Sequence, residues 1–100
     1  MRLKTTPGVY RIRCKKNGWA YIGASWVIEA RWYKHLSDLQ NMKHYSPRFQ
    51  SDWLRYGPDA FSWTILHVDT ANPFKKEAAY ARSYAPKLYS GHAQLRNDLI

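Results

Sequence analysis

Residues 8–23 read GVYRIRCKKNGWAYIG, two runs rich in β-branched and aromatic residues on either side of Asn17-Gly18. Asn-Gly is the strongest short-range hairpin signal, because both residues tolerate positive φ. A two-residue loop pairs Lys16 with Trp19, Cys14 with Tyr21 and Ile12 with Gly23. Side chains alternate between faces along a strand, so Tyr10, Ile12, Cys14, Trp19 and Tyr21 share one face and Val9, Arg11, Arg13, Ala20 and Ile22 the other. Tyr10 and Tyr21 therefore look at the same neighbour, either as half-buried core aromatics with wet hydroxyls or as part of a site wall.

Outward from the hairpin, the pattern supplies the remaining elements. Ser25 is a candidate cap for a helix running to about Asn41, whose apolar stripe is Ile28, Trp32, Leu36 and Leu39. Arg31, His35 and Asp38 form a polar line beside that stripe, so Arg31 and His35 project to a common place; a surface pair in which Asp38 accepts from His35 is the plain alternative. Ser46-Pro47 opens, and Gly57-Pro58 stops, a second helix over 47–56 that packs Phe49, Trp53 and Tyr56. FSWTILHV, 61–68, alternates as a third strand, and Asn72-Pro73 opens a last helix to about Tyr84, ended by Pro86. The tail from Lys87 is polar, with a short turn expected around Gln94 to Leu99. These elements predict an α/β domain, β-β-α-α-β-α, with a small three-stranded antiparallel sheet flanked by about three helices.

The 100 residues fit one domain, with 45% hydrophobic and 16% aromatic residues. No run of about 18 apolar residues predicts a membrane helix, and MRLKTTPGVY has no apolar signal core. The lone Cys14 makes no internal disulfide and suits a reducing, intracellular setting. Of the net charge of +9, almost all lies in residues 1–55, which hold eleven Lys and Arg against three carboxylates. Such an excess favours a polyanionic partner, since neutralised phosphates release counterions.

Scattered glycines exclude a phosphate-binding glycine loop. The histidines His35, His44, His67 and His92 lack paired zinc-ligand spacing, and Cys14 has no argued base. Among the seven carboxylates, Glu29, Asp38, Asp52, Asp59, Asp69 and Asp98 are expected on exposed faces, loops or helix ends. Glu77 instead falls on the stripe of the last helix expected to face the sheet, where it meets a cation such as Arg31 in a salt bridge, or holds a hard divalent ion.

The blocks GVY (Gly8 to Tyr10), YIG (Tyr21 to Gly23), ARWYKHLSDL (Ala30 to Leu39), WLRYGPDAFSWTIL (Trp53 to Leu66) and a late helix with Glu77 resemble, in that order, the GIY-YIG nuclease superfamily, and most of all its homing-endonuclease and phage branch. The resemblance covers about residues 8–90 of a single domain, 1–100. It implies a divalent-metal-dependent DNA endonuclease or nickase. Carried onto this chain, Glu77 holds one Mg²⁺ or Mn²⁺, Tyr10 and Tyr21 line the site, and one of them holds or deprotonates the attacking water. Arg31 stabilises the transition state, and His35 positions or relays the proton. Lys34, Lys43, His44 and Arg48 are candidate DNA-backbone contacts. Trp19-Ala20 stands where many members carry a lysine, with Lys15, Lys16 or Lys34 as candidate substitutes. Tyr89-Ser90 stands at the usual tyrosine-asparagine end, with Asn97 a distant substitute. DNA is the expected partner, with a separate recognition region or protein choosing the target; a binding module with the fold but not the reaction is the alternative.

Overall fold

The computed structural model describes residues 4–89. The expectations for Ser90, His92, Asn97, Asp98 and the turn at Gln94 to Leu99 lie outside them. In chain order the elements are β1 (Gly8–Cys14), β2 (Ala20–Ser25), α1 (Ile28–Gln40), α2 (Pro47–Tyr56), a single 3-10 turn (Pro58–Ala60), β3 (Phe61–Val68) and α3 (Glu77–Tyr84). The antiparallel sheet has the order β2-β1-β3, so β1 is its central strand.

The hairpin differs from the sequence expectation in register but not in face. Tyr10 lies opposite Gly23, and Ile12 opposite Tyr21, two residues away from the pairing that a two-residue loop demands. The connection is longer because Cys14 accepts from the Gly18 N–H (2.8 Å) and donates to the Trp19 carbonyl (2.8 Å). Asn17 works through its side chain: Oδ1 accepts from the Trp19 N–H at 3.1 Å and Nδ2 donates to Asp52 at 2.9 Å. A shift of two preserves strand parity. Tyr10, Ile12, Cys14 and Tyr21 accordingly share one core with Ile28, Leu39, Phe49 and Trp53, while Val9, Ala20 and Ile22 pack with Ala81 of α3 on the other face.

Two helix starts also move. α1 begins at Ile28, and the Ser25 hydroxyl accepts from the Val27 N–H (3.0 Å) in the turn before it, without capping it. Asn72 accepts from the Phe74 N–H (3.1 Å) and opens a turn, and α3 proper starts at Glu77. α2 matches its expected bounds, with the Ser46 hydroxyl accepting from the Phe49 N–H and Pro47 in the first turn.

Asp52 is not on an exposed face. It is buried, and its Oδ2 accepts from the Tyr89 hydroxyl at 2.5 Å as well as from Asn17. The period of α2 places Asp52 next to the inward Trp53, and the returning segment 87–89 closes over it. There the Ala20 N–H donates to the Lys87 carbonyl (3.0 Å) and the Tyr89 N–H to the Ala20 carbonyl (2.8 Å), extending the edge of β2. Among the described residues no helix is long and apolar enough to cross a membrane.

Candidate active site

The site is assembled on the Tyr10 face of the central strand. The rings of Tyr10 and Tyr21 are stacked, with centroids 6.2 Å apart and planes 10° from parallel. Gly23 makes room for them: a Cβ at that position would stand 2.5 Å from Tyr10 Cζ, far inside contact distance. The glycine of YIG is therefore needed for close approach of a ring to the backbone.

α1 lays His35 against both rings, and the loop before α2 adds His44. His35 is 3% and His44 8% exposed. Tyr10 Oη lies 2.8 Å from His35 Nε2, and His35 Nδ1 lies 2.8 Å from His44 Nε2. The far end of this chain sets its direction. The backbone N–H of Ser46, which can only donate, points at His44 Nδ1 (3.1 Å). In a neutral ring the other nitrogen then carries the proton. His44 Nε2–H therefore donates to His35 Nδ1, and His35 Nε2–H donates to the phenol oxygen of Tyr10. Burial keeps both rings neutral, lowering His35 to about 3 with help from His44 and nearby cations, and His44 to about 4 against the pull of Asp38.

The phenols are pushed the other way. Burial raises Tyr10 to about 12; the adjacent Arg31 guanidinium acts against the rise, and the Glu77 charge adds to it. Burial also drives Tyr21 well above the usual phenol range, helped by Tyr10 and by a hydrogen bond to the Tyr45 hydroxyl. Arg31 is exposed yet close enough to Tyr10, Tyr21 and Tyr45 to be influenced by all three. Tyr10 itself is 0% exposed, so the surface that a substrate meets first is Arg31 with the exposed Tyr45 and the half-buried Glu77.

Tyr10, Tyr21, Arg31 and His35 thus converge, and Glu77, in the first turn of α3, is within electrostatic reach of Tyr10. A carboxylate in a first helical turn is also favoured by the helix dipole. Among the described residues no three His, Cys, Asp or Glu side chains cluster as a ligand set. A single carboxylate fits a hard ion that keeps waters and phosphate oxygens as its other ligands, and does not fit zinc.

The expected backbone contacts divide. Lys43 is exposed. Lys34 is exposed and pairs with Asp38 at 3.2 Å, so Asp38 serves Lys34 and not His35. Arg48 sits 3.7 Å from the centroid of the Trp19 ring. His44 is interior, part of the histidine chain, and no longer an open loop histidine. Of the candidate substitutes for a lysine before YIG, Lys15 and Lys16 lie in the hairpin connection, beyond Cys14 and at least ~13 Å along the strand from Tyr10 at ~3.3 Å per residue.

Two participants were not legible in the sequence. Tyr45 had no pattern to mark it, because it lies in a loop whose path depends on how α1 and α2 dock. The Ser46 amide was visible only as a helix cap, and its second use follows from the position of His44.

The family described as GIY-YIG catalytic domain matches residues 6–90. Two solved structures are similar. One is the catalytic domain of the homing endonuclease I-TevI, at 23% identity and a TM-score of 0.75, covering 83% of this chain and 95% of that one. The other is a glutamate-to-alanine mutant of the catalytic domain of the intron endonuclease I-TevI, at 28% identity and a TM-score of 0.62, covering 79% of this chain and 77% of that one. No curated protein matches the chain.

Proposed function

The chain belongs to the GIY-YIG catalytic-domain family and is a nuclease of that class, and from this premise we propose that it is a divalent-metal-dependent DNA endonuclease or nickase. The observation that carries the reading is the directed chain from the Ser46 amide through His44 and His35 to Tyr10, ending beside Arg31.

In this reading Tyr10, and not Tyr21, holds and deprotonates the attacking water. A phenol serves as a base only as its anion, so the Tyr10 proton leaves to solvent before the oxygen can take one from the attacking water; burial opposes that loss, and the hydrogen bond donated by His35 and the neighbouring guanidinium act in its favour. Tyr21 shares its hydroxyl with another phenol and stays neutral, as a wall and a hydrogen-bond partner. His35 acts as a donor that positions Tyr10, since its proton already sits on Nε2. Arg31, exposed and adjacent to Tyr10, is placed to donate to the non-bridging oxygens of a bound phosphate and so to stabilise the charge that develops there.

Glu77 would hold one Mg²⁺ or Mn²⁺. Such an ion, when bound, supplies Lewis-acid stabilisation of phosphate charge and eases loss of the water proton. Lys34, Lys43 and Arg48 are the exposed cations for the DNA backbone. Residues 1–100 form one domain in this reading, and a separate recognition region or a partner chooses the target.

The test is plasmid nicking in magnesium against EDTA, for the parent protein and for Glu77→Ala and Arg31→Ala. Loss of cleavage in both variants, with salt-sensitive DNA binding retained, is expected. Binding without cleavage by the parent under any divalent ion would point to a binding module, and undiminished nicking by Glu77→Ala removes the metal assignment.

A further inference from the structure

The hairpin connection carries a second group of charges, of which the backbone contacts proposed for the active site use only Arg48. Gly18 has left-handed backbone at φ 81°. Arg13 Nη2 and Lys87 Nζ each lie 3.9 Å from where its Cβ would stand. The two cations are therefore within about 8 Å of each other, which is the screening length at physiological ionic strength. Lys87 is held there by the pairing of residues 87–89 with Ala20, and its Nζ donates to the Asn17 carbonyl at 3.2 Å. Lys15 and Lys16 are exposed on the same connection, and Arg48 stacks on Trp19 at its base.

None of these five cations has a carboxylate within ion-pair distance among the described residues. Asp52, beneath the connection, is turned inward to Tyr89 and Asn17. Asp59 adjoins Ala60, whose carbonyl accepts from the Lys15 N–H, yet it pairs with none of them. Gathering like charges without a counter-charge is unfavourable, and an anion placed between them reverses the sign. A guanidinium fork and an ammonium converging on a notch with no Cβ match the oxygens of a phosphate.

We propose that the hairpin tip is a second DNA contact: a phosphodiester group seats at Gly18 between Arg13 and Lys87, with Lys15, Lys16 and Arg48 flanking it. The tip lies ~15 Å or more from Tyr10 along the strand direction, at ~3.3 Å per residue, so it engages a phosphate on the order of four to six nucleotides from the scissile one, at ~3.4 Å per nucleotide. The contact is independent of sequence and fixes the register of the DNA backbone at the end of the hairpin, beyond the active-site face. It rests on the nuclease reading for the identity of the polyanion.

Binding of a fluorescent 30-base-pair duplex to the full chain in EDTA, followed by anisotropy across a salt series, tests it without requiring cleavage. Arg13→Gln combined with Lys87→Gln is expected to weaken binding several-fold and to reduce the slope of log K against log salt by about 0.9, the loss of one neutralised phosphate. Lys87→Gln alone, which changes an exposed side chain and leaves the backbone pairing with Ala20 intact, keeps the test valid should the double variant unfold, and is expected to move binding in the same direction. Gly18→Asn tolerates left-handed backbone, keeps the charge and fills the notch, so it too is expected to weaken binding several-fold. An unchanged slope in the charge variants overturns the proposal, and so does a changed slope with undiminished binding by Gly18→Asn, which identifies diffuse charge only. Parent protein that nicks plasmid while the variants bind normally leaves the nuclease reading standing and the notch refuted; tip-dependent binding by a parent that never nicks does the reverse.

Discussion

The Tyr10 phenol oxygen and His35 Nε2 lie 2.8 Å apart, and the proton between them belongs to the histidine. That polarity is set at the far end of the chain, where the Ser46 backbone amide occupies His44 Nδ1. Helix α2 thereby influences, through two imidazoles, the chemistry of a residue on the central strand.

Tyr10→Phe and Tyr21→Phe are expected to differ. Removing the base costs on the order of 10²- to 10⁴-fold in rate, so Tyr10→Phe should reduce single-turnover cleavage by at least ~100-fold. Tyr21→Phe removes only the bond to Tyr45 and should cost less, about tenfold. The comparison is made by quenched-flow nicking of saturated DNA, and equal losses would refute the assignment.

His44→Phe should preserve ring packing against Phe49, now at a centroid distance of 4.7 Å, while releasing the tautomer of His35. Because His44 acts through His35, the expected loss is about 10- to 100-fold in kcat with little change in KM. The pH dependence of kcat should shift as well, since His35 then protonates at either nitrogen. A purely structural role would lower thermal stability and leave that profile unmoved.

Both histidines have folded-state values, about 3 and about 4, below the ordinary ~6.5 of an unfolded chain. Below about pH 6.5 the unfolded chain binds protons that the folded chain does not, so stability falls with decreasing pH until the folded values are reached. The limiting slope is about 1.4 kcal/mol per pH unit for each histidine. Urea unfolding between about pH 7 and 5, above most carboxylate titration, should reveal this loss, and His44→Phe should remove part of it. Flat stability over that range would contradict the burial of neutral imidazoles.

Gly23→Ala places a methyl group inside the Tyr10 ring. Overpacking of this kind costs about 1–3 kcal/mol, and relief by movement of Tyr10 would break its bond to His35. Denaturant unfolding and nicking should both suffer, with a loss of activity exceeding that expected from the fraction unfolded.

Tyr89→Phe leaves the buried Asp52 carboxylate with one donor fewer. The expected cost is about 1–3 kcal/mol, read by urea unfolding. Asp52→Asn should recover part of it in the double variant, because a neutral amide needs less compensation than a charge.

The sequence alone determined the strands, the second helix and the two faces of the hairpin. Alternation in GVYRIRC and FSWTILHV, Pro47 at a helix start and Gly57-Pro58 at its stop are local signals, read within a few residues. Face sharing survived even the wrong hairpin register, because a slip of two keeps strand parity. The family resemblance rests on blocks of the same local kind, and it names Tyr10, Tyr21, Arg31, His35 and Glu77 without reference to their geometry.

What required the tertiary structure were relations between elements remote in sequence. The burial of Asp52 depends on Tyr89, 37 residues later, and the interior place of His44 depends on how its loop folds over α1. The polarity of the histidine chain depends on a backbone amide, which carries no sequence signature because every residue except proline has one. Side-chain type and spacing predict which groups share a face; hydrogen-bond direction follows only from which fixed donor terminates the network, and packing decides that.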